Sequence, residues 1–216
     1  MLNFCGQFTY FTTEIDILEK PSIPEDYQFA INNFYLMQKD DIELLKYPIG
    51  QFEKPHEITE SILAEWILDI KRLPQQLTDA VEGLNKEQLA TPYRPDGWTV
   101  RHTVPPVADS HINAYTRFKL ALTESIPTIR PYEEQLWAEL SDGKNAPIEW
   151  SLTLLEALHL RWGMLLENMT RADFNKQLFH PATRHTNPLS VMAGMYSWHG
   201  RHHVAHILEL RKRMNW

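Results

Sequence analysis

The segment Trp198-His199-Gly200-Arg201-His202-His203-Val204-Ala205-His206 gathers four of the chain's ten histidines. His199 and His203 stand four positions apart, and so do His202 and His206. On a helix each such pair projects two imidazoles from one face, with Cβ atoms about 5–6 Å apart, close enough to hold one ion. Imidazole suits zinc and nickel, and a site that works on water or a substrate adds a third protein ligand and leaves one position open. Not all four can be ligands: one pair faces the ion, while the others support its imidazoles or meet the surface. The third ligand must come from another element, so the fold around the cluster matters.

Four runs have the spacing of amphipathic helices. From Ile58 onward, Ile62, Trp66, Ile70, Leu73, Leu77 and Val81 mark the first. Pro74 is expected to kink or split it, because proline lacks the backbone donor and crowds the preceding turn. The second has Thr99 as N-cap and runs to Glu124. Pro105 and Pro106 fall in its second turn, where each costs roughly 3 kcal/mol, so regular helix is expected to begin only at Pro105. The third runs from Ile148 to Met169 with Leu154, Leu158, Trp162, Leu165 and Leu166 inward, and Thr170 and Asp173 then cap a short turn. The fourth takes Asn187 as N-cap and Pro188 as first helical residue and continues to Arg213, which puts the histidines mid-helix.

Between the second and third runs lies a long connection with Pro127, Pro131, Pro147 and the turn Ser141-Asp142-Gly143. Such a link lets helices cross over instead of simply alternating up and down. No repeat or strand alternation is evident. Trp66, Trp98, Trp150, Trp162 and Trp198 read as large buried anchors. Phe179-His180-Pro181 and His185 read as loop, and Glu133 and Glu134 as helix-start carboxylates. The expected architecture is all-α, a four-helix bundle with a metal site in its core; the alternative for such a cluster is a hydrogen-bonded histidine core.

A chain of 216 residues, 43% hydrophobic and 23% charged, suits one globular domain. The net charge of -7 and pI of about 5.8 argue against nucleic acid or an anionic membrane as partner. The one strongly basic run, Arg211-Lys212-Arg213, is expected to complement the end of the last helix. A lone cysteine, Cys5, excludes an internal disulfide and fits a reducing cytoplasm. No apolar run reaches the roughly 18 residues that would span a bilayer. Residues 1–46 carry Phe4, Phe8, Tyr10 and Phe11 without a sustained period and without the basic start of a secretory leader. They are expected to be a poorly ordered extension, or upstream sequence ahead of a start at Met37, preceding a domain over 47–216.

Longer motifs point to a family. Tyr93-Arg94-Pro95-Asp96-Gly97-Trp98-Thr99-Val100-Arg101 is followed by Val107-Ala108-Asp109-Ser110-His111-Ile112-Asn113-Ala114-Tyr115 and by Arg117-Phe118-Lys119-Leu120-Ala121-Leu122-Thr123-Glu124. With Tyr47-Pro48-Ile49-Gly50 and the terminal Tyr196-Ser197-Trp198-His199 through His206-Ile207, this order resembles the YfiT group of DinB-like proteins, from Tyr47 to Trp216. The resemblance implies a DinB-like four-helix bundle and a cytoplasmic homodimer. It also implies a metal-dependent hydrolase acting on a small molecule, with one zinc (Zn2+) or nickel (Ni2+) ion per chain. Thiol-dependent S-transferases among DinB-like proteins are the rival activity, although Cys5 lies outside the resemblance. The family's metal-binding histidines fall once in the second helix and twice in the fourth. Carried over by motif, the latter two are His199 and His203, and the first is the position before Val107, here Pro106.

Proline offers no ligand atom and disturbs the helix that would carry one, so a site reduced to two histidines should bind metal weakly. His102, one turn earlier, is a possible substitute if the prolines leave the helix intact. Asp109, three residues on, could ligate as in two-histidine-one-carboxylate sites, or act catalytically by orienting water or holding an imidazole. His111 is five residues beyond Pro106, which turns it around the helix toward a structural or surface role. The remaining explanations are a bundle that has lost its metal and its catalysis, or a sequence error, since one base change converts a His codon to Pro.

Overall fold

The computed structural model describes residues 39–216, so the expectations for Cys5, Met37 and the rest of residues 1–38 lie outside the described residues. Residues 42–216 form one compact unit. The elements are α1 (Lys39–Lys46), α2 (Glu60–Val81), α3 (Lys86–Leu89), α4 (Val100–Thr123), α5 (Glu134–Ala138) and α6 (Ser141–Asn145). They continue with α7 (Ile148–Glu167), α8 (Arg171–Phe174), β1 (Gln177–His180), β2 (His185–Pro188) and α9 (Leu189–Met214). Among the described residues no helix is long and apolar enough to cross a membrane.

Two expectations about prolines are corrected. α2 runs unbroken through Pro74, which overturns the expected split. α4 starts at Val100, behind a Thr99 cap that accepts from the His102 backbone N–H at 3.2 Å, and runs through Pro105 and Pro106. Both rings are buried beside Val104 and Val107. Only the carbonyls of Arg101 and His102, in the first turn, lose their helical donors, and the apolar burial of the rings offsets that loss.

α7 is rotated by one residue from its expected register. Its buried face is Leu155, His159, Trp162 and Leu166, at steps of four, three and four, while Leu154 is 45% exposed and Trp150 68% exposed. Trp66 and Trp162 are buried as expected, and Trp98 and Trp198 are half-buried. The segment expected as loop before the last helix is an antiparallel hairpin in which Phe179 pairs with Thr186 and His180 with His185. Asn187 pairs with Leu178 there, so α9 begins at Leu189 with Pro188 in the cap position. Strands of four residues are too short to show alternation in the sequence. The Thr170–Asp173 pair does form a capping box, at the start of α8.

α2 packs against α7 and α9, and α4 packs against the same two helices, so α2 and α4 stand diagonally. His111 meets His159 and Phe118 meets Trp162, an order that increases along both helices, so α4 and α7 run parallel. A parallel pair needs a link that travels back along the bundle, and residues 124–147, carrying α5 and α6, supply it. α9 lies close on α2: a Cβ at Gly194 would stand 2.8 Å from Trp66, and one at Gly200 2.7 Å from Leu73. Arg211 of the basic run serves another helix's end, its Nη1 donating to the Ala80 and Glu82 carbonyls at 3.0 Å each at the terminus of α2, while Arg213 Nε donates to the Glu209 carbonyl of α9 itself at 3.3 Å.

Apolar burial falls into two layers. One centres on Trp66, Phe118, Trp162 and Tyr196, the other on Leu73, Leu77, Val104, Leu155 and Ile207. His111, His159 and His199, on α4, α7 and α9, fall between the residues of the two layers along their helices.

Candidate metal centre

Pro74 lacks the N–H that would bond the carbonyl of Ile70, four residues back. That carbonyl instead pairs with His159 Nδ1 on α7 at 2.5 Å. His159 Nε2 stands 3.1 Å from His111 Nδ1 on α4, and His111 Nε2 stands 3.2 Å from His199 Nδ1 on α9. Three imidazoles from three helices thus form one line across the bundle. Trp162 and Tyr196 meet the His111 ring edge-on, at centroid distances of 5.7 and 5.4 Å. A cavity of about 580 Å³ between α2 and α7 reaches Pro74 and His159 from the outer side.

His199 and His203 lie side by side on α9, as the spacing anticipated, with ring centroids 4.6 Å apart. Trp98, from the segment before α4, stacks parallel to His203 at 6.5 Å. His202 stacks on Trp198 at 4.5 Å, and His206 stacks on Tyr93 at 3.9 Å while pairing through Nε2 with the Lys46 carbonyl at 3.1 Å. The Nδ1 atoms of His202, His203 and His206 are buried without a hydrogen-bond partner among the described residues.

Burial, which disfavours a charged ring, dominates the electrostatics. It holds His111 and His203 well below the ordinary imidazole range, with neighbouring histidines adding to the effect. Burial likewise lowers His199, His159 and His206 to about 4 and His202 to about 3. These rings are neutral at physiological pH, the state in which a bare nitrogen can bind a metal.

The other candidates are not gathered with this pair. His102 is half-buried on the first turn of α4 and makes no ring contact with His199 or His203. Asp109 forms no hydrogen bond with either histidine. Its carboxyl is pushed up by burial and by Asp142 of α6, and it in turn raises the half-buried Glu134 of α5, beyond that residue's own burial. Asp109 therefore belongs electrostatically to the crossover side of α4. Pro106, the position the resemblance assigns to a third ligand, is buried in α4. Among the described residues, no group of three or more His, Cys, Asp or Glu side chains is arranged to hold a metal ion. Two imidazoles fit an ion, but the residues present do not fit a complete three-ligand site.

Sequence reasoning missed His159, and of the structural and surface roles expected for His111 the structure overturns the surface one. His111 is fully buried and bonded to His199. The available signal was Pro74, whose freed carbonyl needs a donor, and the position of His159 between Leu155 and Trp162 on a buried stripe.

A diagonal, crossover-linked bundle with histidines between two apolar layers defines the class of protein. Residues 69–207 match the DinB superfamily, and the chain belongs to it. It is 54% identical over 172 residues to a Bacillus cereus protein named "Putative metal-dependent hydrolase", covering 80% of this chain and 98% of that one. A Bacillus thuringiensis protein of the same description matches at the same identity and coverage. Among solved structures, the chain is similar to YfiT from Bacillus subtilis, described as a probable metal-dependent hydrolase with an unusual four-helix bundle topology. That likeness has a TM-score of 0.78 and 46% identity, over 80% of this chain and 99% of the other.

Proposed function

We propose that this chain is a hydrolase-type DinB protein whose grip on its metal is reduced to His199 and His203, and which takes up zinc or nickel, one ion per chain, only at high metal concentration. The observation that carries this reading is Pro106: it lies within an unbroken α4, so the helix stays in place while the ligand atom is missing. The relatives' printed names support a metal and hydrolysis, and we take the substrate to be a small molecule. His199 and His203 support the ion because they are adjacent, neutral and on one helix face. A lone cysteine among 216 residues supports a cytoplasmic setting. The exposed apolar side chains of α7, Trp150, Leu154, Leu160 and Met164, support a homodimer.

A second reading is favoured by the absence, among the described residues, of a three-donor cluster: a bundle that binds partners or ligands without catalysis. Hydrolysis of a panel of activated esters, with zinc or nickel titrated from trace to large excess, separates the two. The first reading expects turnover that appears only with excess metal in the parent, at far lower metal in Pro106→His, and not at all in His203→Ala. No turnover in the parent or in Pro106→His at any metal concentration overturns it in favour of the second.

A further inference from the structure

His159 and His111 touch neither Pro106 nor His203 through a hydrogen bond, yet they are the most completely bonded imidazoles in the bundle. Their line begins at a group whose role is not negotiable. The Ile70 carbonyl can only accept, so the hydrogen in the 2.5 Å contact lies on His159 Nδ1. A neutral imidazole carries one N–H, so His159 Nε2 accepts, and the hydrogen in the 3.1 Å contact lies on His111 Nδ1. By the same step His111 Nε2 accepts, and the hydrogen in the 3.2 Å contact lies on His199 Nδ1. Among the described residues no carboxylate hydrogen-bonds any of the three rings, and burial holds His159 at about 4 although the Ile70 carbonyl favours its protonated form, so the direction does not reverse near neutral pH.

We propose that His159 and His111 are positioning residues that fix His199 as its Nδ1–H tautomer and leave the Nε2 lone pair of His199 unengaged, with the Ile70 carbonyl freed by Pro74 as the anchor. Free neutral histidine prefers the opposite tautomer, so three consecutive Nδ1–H rings are a built feature. His199 Nε2 is thereby the nitrogen that can serve as ligand or base, while its other nitrogen fixes the ring's orientation. The assignment rests on the proposed function only in treating His199 as the acting group. It holds with or without metal.

The test is a long-range proton–nitrogen correlation spectrum of the histidine rings in nitrogen-15-labelled, chelator-treated protein at mildly alkaline pH. The expected spectrum shows a protonated Nδ1 and an unprotonated Nε2 on His159, His111 and His199. In His111→Leu, which removes the acceptor, His199 should shift to a mixture dominated by the Nε2–H form. In His111→Gln, whose amide carbonyl accepts and whose amide N–H donates, it should stay Nδ1–H. A parent protein with His199 predominantly Nε2–H overturns the proposal, as does a His199 tautomer unchanged in His111→Leu. Should His111→Leu not fold, the parent spectrum decides alone. Weak metal binding by the parent leaves this outcome untouched, and a wrong tautomer leaves the two-histidine reading untouched, so the two failures are distinguishable.

Discussion

On the α2 and α7 side of His199, each imidazole nitrogen from His159 through His111 has a partner, ending on a backbone carbonyl. Around His203, the Nδ1 atoms of His202, His203 and His206 have no partner among the described residues, and Pro106 stands where the resemblance expects a third ligand. A buried polar network is costly when half-satisfied, so the bonded line reads as structure that holds His199 whatever else happens. The neighbouring rings stack on Trp98, Trp198 and Tyr93, and of their nitrogens only His206 Nε2 is bonded, to the Lys46 carbonyl. The lesson is that a satisfied and an unsatisfied histidine group stand side by side on one helix: the line through His111 is bonded where the nitrogens around His203 are not.

Acid should break both halves together, with the largest effect. His111, His159, His199, His202, His203 and His206 are all held below their ordinary 6.5 by burial. As pH falls, the unfolded chain takes up protons before the folded one. Stability is therefore whole above about 6.5 and is lost as pH falls toward the folded values near 4. Each ring contributes up to about 1.4 kcal/mol per pH unit in that window. Urea unfolding of chelated protein across this range should show a fall of several kcal/mol, and a flat profile would contradict six neutral buried rings. Next, His111→Leu strands His159 Nε2 and His199 Nδ1. At about 1–3 kcal/mol for each group left unsatisfied, it should cost about 3 kcal/mol or more in the same assay. His206→Leu sharpens the contrast: it strands only the Lys46 carbonyl and removes an unpartnered nitrogen, so its cost should stay below about 1 kcal/mol. Equal costs for the two would erase the distinction between the halves.

That His199 and His203 lie side by side was legible from their four-residue spacing, which His202 and His206 share; the choice between the pairs came from the resemblance. The bundle and the returning link were legible too, since the proline-rich stretch between the second and third runs left no room for a short turn. What escaped depended on packing. His159 looks like a polar interruption in α7 until the helix is rotated by one residue, when it joins Leu155 and Trp162. Pro74 and Pro105 read as helix breakers, because the sequence does not show what replaces a missing donor or shelters a ring. For Pro74 the replacement is a histidine 85 positions away, from residue 74 to residue 159. The hairpin before α9 escaped because four-residue strands carry too few side chains for a pattern.

Zinc and nickel content per chain, measured by equilibrium dialysis and elemental analysis of the parent, Pro106→His and His203→Ala, tests the central claim most directly. The account predicts substoichiometric, easily removed metal in the parent and none in His203→Ala. For Pro106→His it predicts close to one ion per chain, bound more than about 100-fold tighter, the cost of losing even an outer-shell partner. Tight, stoichiometric metal in the parent that survives His203→Ala would contradict it.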